Sequence, residues 1–239
     1  FSLEERVCVL DARGRRHRSQ PVEFQGQLGG TVWSMTSNKE LPVKQDQPKE
    51  ALPGSNRPRI AVEDLIPGDQ VMTSENGFQT LLWKGTMTII PGAQNARPEM
   101  GTMTRVTADA LGLGRPAPDL VLGPSARLLH RANGIRTLTG ADSALVPVRD
   151  FIDQSQIIEL TPIAPVHVYQ LGFENHELIK VNGIEIESLH PGPIHGLGLR
   201  HDMLSLFQAM FPHKRQLSDF GSMANPRIRL RDLDLFDVA

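Results

Sequence analysis

One cysteine, Cys8, stands among 239 residues. A single thiol excludes an intramolecular disulfide and any cysteine-rich zinc site. Cys8 sits in the apolar run VCVL, where a buried structural thiol is expected. Long hydrophobic runs are lacking as well, and none approaches the roughly 18 residues of a membrane span. Neither sign of charge dominates: 25 Lys and Arg against 27 Asp and Glu leave a net charge of -2. That balance gives no general pull toward nucleic acid or an anionic membrane. The one basic run, RGRRHR from Arg13 to Arg18, falls at an expected turn and reads as a solvated loop. The sequence carries no phosphate-cradling loop, no Ser/His/Asp arrangement, no nucleic-acid motif and no repeat of solenoid period.

What the sequence has in quantity is turn chemistry. Glycine (21) and proline (18) are scattered along the chain and divide short apolar runs, which is an all-β signature. Strands are expected at 7–10, 21–24, 70–73, 79–88, 102–107, 119–122, 127–130, 135–138, 157–160, 166–173, 177–181 and 184–188. Asn76-Gly77, Asn133-Gly134 and Asn182-Gly183 are of the hairpin-turn type. Short helical turns are expected at 62–65 and 148–152. One amphipathic helix is expected from Asp202, as cap, to Phe211, with Pro212 as its stop. Its Met203, Leu206, Phe207, Met210 and Phe211 share one face, which reads as core packing. Residues 36–59 are polar and proline-rich, with little to bury, and read as a mobile loop.

Six phrases, in order, carry a resemblance. They are GGTVWS (29–34), AVEDLIPGDQVMT (61–73), NGFQTLLWKG (76–85), DLVLGPSARLL (119–129), NHELIKVNGIEIESLHPG (175–192) and NPRIRLRDLDL (225–235). Together they resemble the bacterial Hint domain, the self-processing module shared with inteins and the hedgehog autoprocessing region. The resemblance runs from about Phe24 to the C-terminus. It implies an all-β, pseudo-symmetric Hint-type fold, here with one C-terminal amphipathic helix. The implied organisation is an N-terminal β extension at 1–24, a Hint-like domain at 25–200, and a helix and tail at 201–239 packed on the domain. The resemblance leaves the compartment open between cytoplasm and export.

Hint chemistry begins with a thiol or hydroxyl attacking the carbonyl of the peptide bond before it, and a later histidine protonates the departing nitrogen. The family's Cys-Phe-x-x-Gly-Thr phrase aligns Gly30-Thr31 here, which puts Gly26 where the family has its cysteine. The family's Ser-Pro-x-His-Arg strand aligns with Gly123-Pro124-Ser125-Ala126-Arg127, which puts Ala126 at the histidine. Glycine offers no nucleophile and alanine no proton; loss of a general acid alone lowers a rate by ~10²–10⁴. This degenerate pair points away from an enzyme and toward a scaffold or binding module, with a protein partner or the chain's own upstream region bound.

Two alternatives stand beside that reading. The first is self-processing through other residues. His176 matches the family's His-Glu phrase and is a candidate base or orienting group. Thr31 and Ser34 are candidate hydroxyl nucleophiles. Asp69, in a tight Pro67-Gly68-Asp69 turn, belongs to the family pattern, as do Glu187 and His190; Pro191-Gly192 is expected to shape the exit from the last strand. The second alternative is a metal. His190, His195 and His201 lie in HPGPIHGLGLRH, with His167 and His176 as possible neighbours, but the spacing matches no standard zinc pattern. No cofactor is implied.

Overall fold

The fold is that of a computed structural model. It describes residues 59–91, 98–193 and 201–234, and before them five strands at 3–10, 16–18, 22–24, 35–36 and 40–44. Those five are β1 (Leu3–Leu10), β2 (Arg16–Arg18), β3 (Val22–Phe24), β4 (Met35–Thr36) and β5 (Glu40–Lys44). There follow β6 (Arg59–Ala61), β7 (Gln70–Met72), β8 (Phe78–Thr80), β9 (Trp83–Ile89), β10 (Met103–Val106) and β11 (Leu120–Leu122). The remaining strands are β12 (Arg127–His130), β13 (Ala144–Pro147), β14 (Ile157–Leu160), β15 (Val166–Gly172), β16 (Leu178–Val181) and β17 (Ile184–Glu187). The α-helices are α1 (Asn133–Thr139), α2 (His201–Ala209) and α3 (Arg231–Asp234). The chain is all-β with few helices, as its turn chemistry implies.

The strands form three sheets. The largest runs β14-β10-β11-β4-β15-β9-β1-β2, with β3 added to β1; a second runs β13-β12-β17-β16 and a third β6-β5-β7-β8. β9 reads as a strand buried on one face: Trp83, Gly85, Met87 and Ile89 point inward and alternate with half-buried neighbours. Trp83 is wholly buried, donates its indole N–H to the Met210 carbonyl at 2.8 Å, and stacks 5.1 Å from Phe211. The helix face that the sequence marks as core, through Phe207, Met210 and Phe211, thus closes on β9. A second apolar cluster, with Val71, Leu81, Leu122, Leu128, Ile179 and Ile186 in it, joins the sheets beneath the site.

Several expectations need correction. Residues 135–138 are not a strand but the body of α1, and Asn133-Gly134 opens that helix instead of a hairpin turn. Ile135 and Leu138 are three apart, a helical spacing; Ile135 packs on Ala144 and Leu233, and Gly140 ends the helix in the left-handed conformation. The expected strand 79–88 breaks at Leu81–Leu82, whose amides turn away to the Asp69 and Gly172 carbonyls. The short helical turn expected at 62–65 is a single turn at 62–64, closed by Asp64 N–H on the Ala61 carbonyl. The stretch 36–59, expected as a mobile loop, contains β5, which pairs with β6 and β7. Half of the basic run 13–18 is likewise a strand, β2, paired with β1. Asp202 stands inside α2 and does not precede it.

Candidate functional site

The β16–β17 hairpin builds the site. Its turn is Asn182-Gly183, with φ of 48° and 85°, and its register sets Leu178 against Glu187. Just beyond the paired region, Ser188 N–H donates to the Glu177 carbonyl at 3.0 Å, and Glu177 N–H donates to Ser188 Oγ at 2.8 Å. The two ends of the hairpin are thereby locked, and His176 is held beside Glu187. β12 pairs with β17 at Leu128 and Ile186, which brings Arg127 to the same place.

Glu187 is wholly buried. Arg227 Nε donates to its Oε1 at 2.7 Å, and an Arg127 terminal nitrogen donates to its Oε2 at 3.3 Å. His176 Nε2 lies 3.2 Å from Oε1 but too far off line for a well-formed hydrogen bond. Burial alone would push the Glu187 carboxyl up. The facing imidazole and the Arg227 and Arg127 guanidinium groups outweigh it and hold the carboxyl down to about 2.

Both imidazoles of the cluster are spoken for. His176 Nδ1 accepts from Ala224 N–H at 3.0 Å, which assigns its proton to Nε2, the nitrogen on the Glu187 side of the ring. His190 Nδ1 accepts from Gly192 N–H at 3.0 Å, so its Nε2 carries the proton and donates to the Gly221 carbonyl at 3.1 Å. The rings face each other 4.9 Å apart. Burial first, then His176 and Arg227, lower His190 to about 4, against the weaker pull of the Gly221 carbonyl and Glu187. His190 is therefore neutral near pH 7. Arg227 also donates from a terminal nitrogen to the His190 carbonyl at 2.7 Å.

The structure brings His176, Glu187 and His190 together and leaves the other described candidates elsewhere. Ala126 is buried in the apolar cluster with Leu128 and Val148, and its carbonyl accepts from Val148 N–H. Asp69 serves its own turn: Oδ2 accepts from Ile66 N–H at 2.8 Å and its carbonyl from Leu81 N–H at 2.8 Å. His167 is on an exposed position of β15, 2.9 Å from Thr88 Oγ1. Gly26, Thr31, Ser34 and His195, and the side chains of Cys8 and His201, lie outside the described residues. Among the described residues no group of three or more His, Cys, Asp or Glu side chains is placed to hold a metal.

Sequence reasoning missed the two arginines. Arg127 served only to set a register, and Arg227 lay unassigned in NPRIRLRDLDL. The signal was there: two or more arginines in short apolar phrases need carboxylates, and Glu187 is one of the few acids on a buried strand. The arrangement is a closed lock of one carboxylate, two guanidiniums and two imidazoles. No side-chain surface of His176 or Glu187 is exposed, so neither reaches a substrate unless the segment carrying Gly221, Ala224 and Arg227 moves.

The family model described as the Hint domain matches residues 55–193, more than half of the chain. The match covers Asp69, Ala126, His176, Glu187 and His190, and stops short of Arg227. No curated protein and no solved structure matches the chain.

Proposed function

The chain belongs to the Hint domain family, and from that premise we propose that it is a non-catalytic member, a scaffold or binding module for a protein partner or for the chain's own upstream region. The observation that carries this reading is the inward commitment of His176. Its Nδ1 is taken by Ala224 N–H, its Nε2 faces Glu187, and none of its side chain is exposed. A general acid must reach the leaving group within hydrogen-bond distance, and this ring has no free edge to offer. Gly26 and Ala126 at the family's cysteine and histidine positions support the same reading, since neither side chain performs nucleophilic or acid chemistry. On this reading residues 25–200 form the Hint unit, 1–24 extend it, and 201–239 cover it.

The test is the intact mass of the chain, carrying its natural upstream sequence, through days of incubation with a thiol or hydroxylamine. An unchanged mass is the expected result. A break at or near Gly26 overturns the reading in favour of self-processing, and Thr31, Ser34 and His176 become the residues to replace.

A further inference from the structure

Residues 221–230 lie past the family match, yet they complete the site. The segment runs along β13, the edge strand of its sheet: Leu145 N–H donates to the Pro226 carbonyl at 2.8 Å, and Ile228 N–H donates to the Leu145 carbonyl at 3.1 Å. This is the hydrogen bonding of an extended peptide added to a sheet edge. Arg227 goes inward, with Nε on Glu187 and a terminal nitrogen on the His190 carbonyl, both at 2.7 Å. Gly192, at φ 79°, leaves room for it: a Cβ there would sit 2.7 Å from another Arg227 nitrogen. Two residues on, Arg229 grips Asp150 with two hydrogen bonds of 2.7 Å, and Leu230 N–H adds a third to the same carboxylate at 3.0 Å. Between the two arginines, Ile228 packs against the apolar cluster of Ile135, Ala144 and Leu233. Ser143 Oγ donates to Asn225 Oδ1 at 2.7 Å at the other end.

These are the parts of a peptide-reading groove: an edge strand for the backbone, a buried carboxylate for one guanidinium, a second carboxylate for another, and an apolar seat between. We propose that the groove beside β13 is a binding site for an extended peptide carrying an arginine–apolar–arginine stretch, occupied in this chain by its own residues 224–230 as a tethered ligand. The inference rests on the binding-module reading above and names the chemistry of the partner. A partner segment of that type enters by displacing the resident one. A short tether holds the resident at an effective concentration in the millimolar range, so displacement requires either a comparable partner concentration or release of the tether.

The experiment uses the full chain with a protease site introduced at Ser222, in the exposed turn before the segment, together with a labelled synthetic peptide of residues 223–233. After the cut, the chain is expected to take up the labelled peptide. Peptides with Arg227→Ala or Arg229→Ala are expected to bind more weakly, by ~30-fold or more for Arg227, whose partner is buried. Equal binding of the peptide with both arginines replaced overturns the proposal, as does a cut chain of native circular dichroism that takes up no peptide. If cutting unfolds the chain, the uncut protein decides. Hydrogen exchange at the Ile228 amide must then rise with millimolar native peptide and not with the doubly substituted one; no rise overturns the proposal. Intact mass is read on the same samples. Self-cleavage near Gly26 defeats the non-catalytic reading, while peptide failure at constant mass defeats only this inference.

Discussion

Among the described residues, His176 and His190 are buried and His213 is half-buried with both ring nitrogens covered, and their surroundings give them different fates. His176 and His190 have protein partners at their Nδ1 atoms, from Ala224 and Gly192. His213 has none described at either ring nitrogen, both of which are buried, and it lies edge-on to Phe211 and Phe220 at 6.4 Å. Burial first, and then the neighbouring Lys214 cation, lower it to about 4. An unsatisfied buried polar group opposes folding by ~1–3 kcal/mol, and replacing it with an apolar ring of like shape removes that opposition. His213→Phe is therefore expected to raise stability at pH 7 by ~1 kcal/mol, seen as a higher midpoint in urea unfolding. A lower midpoint would mean that the ring nitrogens are satisfied in solution.

At the scale of elements, the Asn182-Gly183 hairpin turn is the feature on which the site's register depends. Gly183 has φ of 85°, and a Cβ there would run into the Gly114 carbonyl oxygen, a backbone atom that does not swing aside as a flexible side chain does. Gly183→Ala combines left-handed strain with a clash and is expected to destabilise the chain by roughly 1–3 kcal/mol. Because β16 and β17 carry His176 and Glu187 at their open end, the protection of the Ser188 amide against exchange should fall with it. A variant that is as stable as the parent, with Ser188 equally protected, would show that the loop from 114 gives way.

This turn was legible in the sequence, as were β12, β14 and the extent of β15, because Asn-Gly pairs and β-branched runs act locally. α1 was not: a short apolar run of IRTL reads as a strand until Gly140 caps it and Leu233, almost a hundred residues later, covers its apolar face. The site was half legible. His176, Glu187 and His190 stand in one phrase, and a hairpin brings its ends together. Arg227 comes from outside that phrase and reaches it only because residues 225–228 add to β13, a long-range pairing that no local pattern encodes.

At the scale of the whole molecule, the buried ionic cluster joins stretches far apart in the chain, at Arg127, at 176–190 and at 221–227, so its protonation bears on global unfolding. The signs are fixed by the folded values. His190 and His213, at about 4 in place of 6.5, are kept neutral by folding. The unfolded chain takes up those two protons first, so stability is full above pH 6.5 and is lost as pH falls from 6.5 through 4. Glu187, at about 2 in place of 4.5, is kept ionised by folding; its contribution is full above 4.5 and is lost as pH falls toward 2. At 1.36 kcal/mol per unit each histidine shift amounts to roughly 3 kcal/mol. Two of them match a large share of the ~5–15 kcal/mol that holds an ordinary domain together. The expected profile of urea midpoints is flat from pH 8 to 7 and falls steeply between 6.5 and 4, with Glu187 adding to the fall only below about 4.5. His213→Phe should remove about half of that fall and leave the flat region level. A midpoint that stays constant down to pH 4.5 and drops only below it would assign acid unfolding to the carboxylates, and would mean that the two imidazoles take up protons in the folded chain as readily as in the unfolded one.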